Sequence, residues 1–173
     1  MKQGLIHLYC GDGKGKTTAA VGLAVRAAGC GMQVLFARFL KNEHSGEIRI
    51  LEGIPEIEVL HPEKSFGFFY TLSEEEKQEA KAVYGRLWEE IVRKAGEGCD
   101  MLVLDEFAAA YELNLLPRGA ALRFLEERGE TEVVLTGRNP APEIAALADY
   151  VSEIRKEKHP FDRGIPARRG IEF

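Results

Sequence analysis

Cysteine is scarce in this sequence. Three residues in 173, Cys10, Cys30 and Cys99, include no CxxC pair, which leaves neither a disulfide framework nor a zinc-ligand pattern. They read as thiols of a reducing compartment. Cys99 precedes an apolar strand and reads as a small buried residue rather than a nucleophile. Long hydrophobic runs are missing as well, which excludes a membrane-spanning helix. Met1-Lys2-Gln3-Gly4 leads straight into an apolar segment and leaves no room for a signal peptide. A cytoplasmic protein is predicted, with no membrane partner. Positive charge is also short. With 23 Lys and Arg against 28 Asp and Glu, the net charge is −5, so the chain as a whole is not built to coat nucleic acid. There is no internal repeat and no low-complexity segment. What remains, 45% hydrophobic and 29% charged residues, is the composition of a globular domain. One domain over residues 1–173 is expected, with an irregular tail from about 156.

Residues 10–18 stand out from this background: Cys10-Gly11-Asp12-Gly13-Lys14-Gly15-Lys16-Thr17-Thr18. A predicted strand, 5–9, enters them and an Ala-rich predicted helix, 17–28, leaves. Strand, glycine loop, Lys-Thr and helix form the layout of a phosphate-binding loop. Glycine lets the backbone curl so that successive N–H groups converge on an anion. The helix start adds its positive dipole end, Lys16 a full charge, and the Thr17 hydroxyl a ligand for Mg²⁺. The spacing departs from the usual one. Cys10 stands where the first glycine belongs, and the glycines fall on alternate positions, 11, 13 and 15. The plain alternative is a glycine-rich turn with a chance Lys-Thr.

Further strands are predicted at 34–40, 57–60, 101–104, 133–136 and 150–154. Helices are predicted at 48–52, 74–95, 107–111, 118–128 and 142–147. Ser73 with Glu76 forms a capping box for the long one. This alternation predicts an α/β fold: a three-layer, mostly parallel sheet of the P-loop NTPase (RecA-like) type. Ligands of such sheets sit beyond the carboxyl ends of the strands. The glycine loop, Lys41, Asp105-Glu106 and Gly137-Arg138 should therefore share one edge.

Asp105-Glu106 follows four apolar residues, as a metal-binding carboxylate of a nucleoside-triphosphate site does. Taken alone, it also suits a solvated pair opening a helix. Arg138 can pair with phosphate through its guanidinium fork, or simply sit in a Gly-Asn-Pro turn. Phe66, Phe68, Phe69 and Tyr70 form either a platform for a large flat ligand or a plug that packs a loop onto the core. His7 reads as structural, and His44 and His61 lack companions at metal-ligand spacing. The basic residues Arg155, Lys156, Lys158, Arg163, Arg168 and Arg169 either face an anionic ligand or make a charged tail, partly offset by Glu157 and Asp162.

Five segments together resemble a known family. They are Gly11-Asp12-Gly13-Lys14-Gly15-Lys16-Thr17-Thr18-Ala19-Ala20, Phe39-Leu40-Lys41, Val103-Leu104-Asp105-Glu106, Leu135-Thr136-Gly137-Arg138, and Lys158-His159-Pro160-Phe161 with Gly170-Ile171-Glu172-Phe173. The chain resembles the P-loop type ATP:corrinoid adenosyltransferases over residues 5–173, including their departure from the usual loop spacing. The resemblance implies a Co(I) corrinoid attacking C5′ of ATP, with triphosphate leaving, in adenosylcobalamin synthesis or salvage. It implies that Gly11, Gly13, Lys14, Gly15, Lys16, Thr17 and Thr18 hold the triphosphate, with Arg26 and Arg138 also at the ATP. It makes Thr17 and Glu106 the Mg²⁺ ligands, with Asp105 as a further candidate. Lys16, Thr17 and Glu106 become the catalytic set. Phe68 and Tyr70 align with the aromatic pair that displaces the lower axial ligand of cobalt. Tyr70 stands where the family usually has Trp, and Asn42 where Gly is common. Some relatives carry an N-terminal extension that covers the active site; this chain, starting at its first strand, is expected to lack it. A homodimer, and a flavoprotein or other electron donor, are implied as partners. Behind this stand two other readings: a P-loop NTPase or small kinase of another class, and a corrinoid carrier.

Overall fold

The apolar runs build a sheet. The structure, a computed structural model, describes residues 3–40 and 45–172. Its strands are β1 (Ile6–Cys10), β2 (Val34–Arg38), β3 (Ile57–Leu60), β4 (Met101–Asp105), β5 (Glu132–Thr136) and β6 (Tyr150–Glu153). They lie in the order β3-β2-β4-β5-β1-β6, every neighbour parallel. Between them run α1 (Lys16–Ala28), α2 (Gly46–Leu51), α3 (Glu74–Gly96), α4 (Phe107–Glu112), α5 (Arg118–Glu126) and α6 (Pro142–Leu147).

β2 and β4 are buried at every position, as strands covered on both faces must be. Their alternate residues feed two cores. Leu35, Ala37, Leu102 and Leu104 meet Tyr84 and Trp88 of α3 and Phe107 of α4. Val34, Phe36, Met101 and Val103 meet Ala20 and Ala24 of α1 and Ile48 and Leu51 of α2. Helices thus cover both faces, which makes the three layers the alternation predicts. Ser73 and Glu76 close the capping box at the start of α3. The edge strand β6 differs, because all four of its residues are exposed.

Some boundaries move. The second strand, expected to reach Leu40, ends at Arg38. There the Phe39 N–H turns to the Asp105 carbonyl at 3.0 Å, and Leu40 adopts a left-handed φ of 53°. The helix expected to run to 128 ends at Glu126, and Gly129 (φ 64°) turns the chain toward β5. Lys41, Asn42, His44 and Phe173 lie outside the described residues. No helix among the described residues is long and apolar enough to cross a membrane.

Candidate phosphate-loop site

Parallel strands bring all their carboxyl ends to one edge, and β1 delivers the glycine loop there. The loop is shaped by its neighbours. Gly11 N–H donates to the Arg138 carbonyl at 3.0 Å, and Gly13 N–H to the Ile154 carbonyl at 2.7 Å. Ile154 N–H returns a bond to the Cys10 carbonyl at 2.8 Å. The Asp12 carboxylate accepts from Lys156 N–H at 3.0 Å. That hydrogen bond, with Lys156 and Lys16 nearby, holds the Asp12 carboxyl below its usual range. A Cβ on Gly11 would lie 2.4 Å from the Ile154 carbonyl oxygen, and one on Gly13 2.8 Å from Arg155 backbone. Residues 154 and 155 therefore explain two of the three alternate glycines. Gly11 and Gly13 admit a close backbone neighbour, and Gly11 also takes φ 99°.

The candidate anion cradle is the second half of the loop. Gly15 caps α1 with φ 125°, and the first helical bond is Ala19 N–H to Gly15 carbonyl. The N–H groups of Lys16, Thr17 and Thr18 thus sit in the first turn, where helix N–H groups have no intrahelical acceptor. Lys16 is 8% exposed and its Nζ donates to the Gly13 carbonyl at 2.7 Å, folded back over the loop. Lys14 is exposed.

Thr17 Oγ1 donates to Asp105 Oδ1 at 2.8 Å, and Thr136 Oγ1 reaches the same oxygen at 2.8 Å. Thr136 Oγ1 accepts in turn from Glu106 N–H at 2.8 Å. Asp105 and Thr136 are fully buried. Asp105, a further candidate beside Glu106 on the sequence, is thus the carboxylate hydrogen-bonded to the loop threonine. Glu106 sits at the start of α4 in a left-handed conformation, φ 59°. Thr136 was not singled out from the sequence; the signal available was a polar residue ending an otherwise apolar strand. Among the described residues no group of three His, Cys, Asp or Glu forms a metal cage. A phosphate-loop Mg²⁺ needs less, since a hydroxyl, a nearby carboxylate, water and the phosphates complete its shell. Thr17 and Asp105, with Glu106 next in the chain, are donors of that kind, so the residues present fit such an ion.

The other candidates separate. Arg138 flanks the loop; its side chain is exposed and lines a 740 Å³ cavity with Cys10, Gly11 and Asp12. Arg26 lies in the last turn of α1, ten residues beyond Lys16, a rise of about 15 Å along the helix. The structure does not bring it to the phosphate cradle. The four aromatics divide two and two. Phe66 and Phe69 pack against the core, Phe66 on Tyr84, while Phe68 and Tyr70 are each 85% exposed. The plug reading holds for Phe66 and Phe69, and Phe68 and Tyr70 are left open to solvent. His7 is structural: its Nε2 lies 2.6 Å from Glu132 Oε1, and its ring stacks on Tyr150. In the tail, Arg155 pairs with Glu153, Lys156 with Asp162 and Arg168 with Glu172. Arg168 holds the Glu172 carboxyl below its usual range.

Comparison with known proteins identifies the family. The model of the family described as ATP:corrinoid adenosyltransferase BtuR/CobO/CobP matches residues 2–173. A corrinoid adenosyltransferase of Escherichia coli (strain K12) is 36% identical over 177 residues, covering 99% of this chain and 87% of that protein. Corrinoid adenosyltransferase CobA of Salmonella typhimurium matches to the same extent, and a corrinoid adenosyltransferase of Pseudomonas aeruginosa is 33% identical over 175 residues, covering 99% of this chain and 85% of that one. Among solved structures, EssC (ATPases 2 and 3) from Geobacillus thermodenitrificans superposes with a TM-score of 0.53 at 13% identity, over 96% of this chain and 35% of that one. That likeness concerns the fold alone. With the family model matching residues 2–173 and relatives 36% identical over 99% of its length, the chain belongs to the ATP:corrinoid adenosyltransferase family.

Proposed function

We propose that this chain transfers the 5′-deoxyadenosyl group of ATP to the cobalt of a Co(I) corrinoid and releases triphosphate, in adenosylcobalamin synthesis or salvage. The observation that carries this reading beyond the family match is the exposure of Phe68 and Tyr70. They hold two aromatic rings in water at the sheet edge that also bears the phosphate loop, while their neighbours Phe66 and Phe69 are packed away.

In this mechanism cobalt supplies the electron pair of the new Co–C bond. The C5′–O bond breaks, and its pair leaves on the triphosphate. No side-chain base is required. The protein positions the reactants and stabilises charge that grows on the leaving oxygen. Lys16 and the first-turn N–H groups of Lys16, Thr17 and Thr18 serve that role. Gly15 shapes the cradle, and Gly11 and Gly13 fix the loop against residues 154–156. Lys14 and Arg138 add charge at its rim. A bound Mg²⁺, held by Thr17 with Asp105 and Glu106, would offset part of the triphosphate charge. Arg26 serves only a part of the nucleotide remote from this cradle. Phe68 and Tyr70 displace the lower axial ligand, which eases reduction of Co(II) to Co(I) by a flavoprotein or other external donor. Tyr70 does this with a smaller ring than the Trp usual in the family. A cytoplasmic homodimer completes the reading, and the exposed strand β6 offers a surface for the second copy.

The test is anaerobic. The protein is mixed with MgATP and chemically reduced cob(I)alamin, the visible spectrum is followed, and the product is photolysed. A light-sensitive adenosylated corrinoid with stoichiometric triphosphate is expected. Phosphate and ADP released without corrinoid would replace this reading with an NTPase. A single retained adenosylcobalamin without turnover would replace it with a carrier.

A further inference from the structure

A second cavity, of 760 Å³, opens at the β3 end of the same sheet edge. Arg38, the last residue of β2, lines it and is only 3% exposed. Its Nη2 donates to Ser45 Oγ at 3.0 Å, which orients the guanidinium. Arg49 reaches the cavity from the last turn of α2, and Arg169 from the far tail of the chain. Three arginines therefore converge from three separate segments, against one lining carboxylate, Glu52. Glu47 and Asp105 also act on Arg38 from nearby. Like charges gathered around open space repel, and core packing gives no reason to gather them. A chain of net charge −5 places them here nonetheless. An anionic ligand relieves the repulsion, and the guanidinium fork fits carboxylate and phosphate oxygens alike.

The location ties this cavity to the reaction. His61, at its edge, directly follows β3 and begins the segment that carries Phe68 and Tyr70. Arg38, lining the cavity, is paired across the sheet with Asp105, whose carboxylate accepts from Thr17 of the loop helix. Ile50, 65% exposed, lies on the rim and offers an apolar contact beside the charges. A ligand with an apolar body and acidic arms suits such a lining.

We propose that the Arg38–Arg49–Arg169 cavity is a subsite for an anionic group on the periphery of the corrinoid, and that Arg49 and Arg169 set a preference for corrinoids carrying such a group. The inference rests on the adenosyltransferase reading and adds a substrate class to it. The anion has two chemical sources: free carboxylates on the ring's side chains, or the phosphodiester of a lower nucleotide loop.

Three prereduced corrinoids separate the sources: cobyrinic acid a,c-diamide, with free carboxylates; cobalamin, with the phosphodiester; and cobinamide, with neither. The expected result is a higher kcat/KM for at least one of the anionic corrinoids than for cobinamide. In the double variant Arg49→Gln, Arg169→Gln that ratio should fall at least about ten-fold, through KM for the corrinoid, with KM for ATP unmoved. Raised salt should narrow the wild-type preference in the same direction. A fall confined to cobyrinic acid a,c-diamide assigns the subsite to ring carboxylates, and one confined to cobalamin assigns it to the phosphodiester. An equal loss with all three corrinoids, a raised KM for ATP, or no change in the ratio would overturn the proposal. Both arginines are exposed, so the variants should fold, and a circular dichroism melt checks that. Failure of the wild type to adenosylate any of the three would instead remove the parent reading, and the subsite with it.

Discussion

The hydroxyl of Thr17, in the first turn of α1, donates to the carboxylate of Asp105 at the end of β4, 2.8 Å away. The bond joins the anion cradle to the central sheet. Asp105 is fully buried and also serves Thr136. Asp105→Asn keeps the size and removes the charge, and should lower adenosyl transfer by about 100-fold with the fold intact. Asp105→Ala also strips buried hydroxyls of their acceptor, which costs about 1–3 kcal/mol. Steady-state rates and urea unfolding of both variants distinguish the two effects.

Lys16 carries a different load. Its ammonium donates to the Gly13 carbonyl of its own loop, and on the proposed reading it serves the triphosphate. Lys16→Ala should leave the melting temperature near the wild-type value and weaken transfer by at least about 100-fold. Binding of a fluorescent ATP analogue should weaken in parallel. Wild-type turnover would remove Lys16 from the site.

Glycines in this chain should answer oppositely to the same substitution. Gly11→Ala meets the Ile154 carbonyl oxygen at 2.4 Å with φ at 99°, and should cost about 1–3 kcal/mol and most activity. Gly22 lies inside α1 and Gly85 inside α3, where a Cβ would meet nothing within 4 Å. Gly22→Ala and Gly85→Ala should each stabilise by about 0.5–1 kcal/mol. Thermal melts of the three variants read both signs.

Asp12 gives the brace on the loop a pH dependence. Its carboxyl is held below the usual range, first by the Lys156 N–H. A group whose pKa is lower in the folded state stabilises that state above its unfolded pKa, and the contribution disappears as pH falls through the folded value. Asp12→Asn should therefore be less stable than wild type at neutral pH, with the gap closing below about pH 4. Paired melts across that window measure it. A constant gap would mean the charge is not what braces the loop.

Thiol reactivity should divide the three cysteines. Cys30 is exposed, Cys10 is buried, and burial pushes the Cys99 thiol up to about 11. A chromogenic disulfide at about pH 8 should titrate one thiol quickly in the native protein and three after denaturation, because only a thiolate attacks.

Much of this site was legible because local pattern and tertiary role coincide. The apolar runs at 101–104 and 133–136 can only be covered strands, and the Gly-Lys-Thr run can only usefully follow one. What stayed hidden depends on contacts made far along the chain. Nothing near Gly11 and Gly13 announces that Ile154 and Arg155 will press on them. Asp105 and Glu106 are adjacent and both acidic, and only the end of β4 decides which one turns inward to Thr17. The aromatic segment has no clear period, so its division into packed Phe66 and Phe69 and exposed Phe68 and Tyr70 emerges from packing on Tyr84 and the core. Arg38 follows four apolar residues in the sequence, and only the fold makes it a buried cation at the end of β2.

The strand order also sets the timing of assembly. β1 lies between β5 and β6, pairing His7 with Val134 on one side and with Tyr150 on the other. A nascent chain that has emerged only as far as α4 therefore holds the phosphate loop's sequence without any neighbour for the strand that carries it. Contacts so distant in sequence close late and slowly. The glycine loop is consequently among the last parts to be held in place on the ribosome, and a prematurely terminated chain exposes β1 as an unpaired apolar segment.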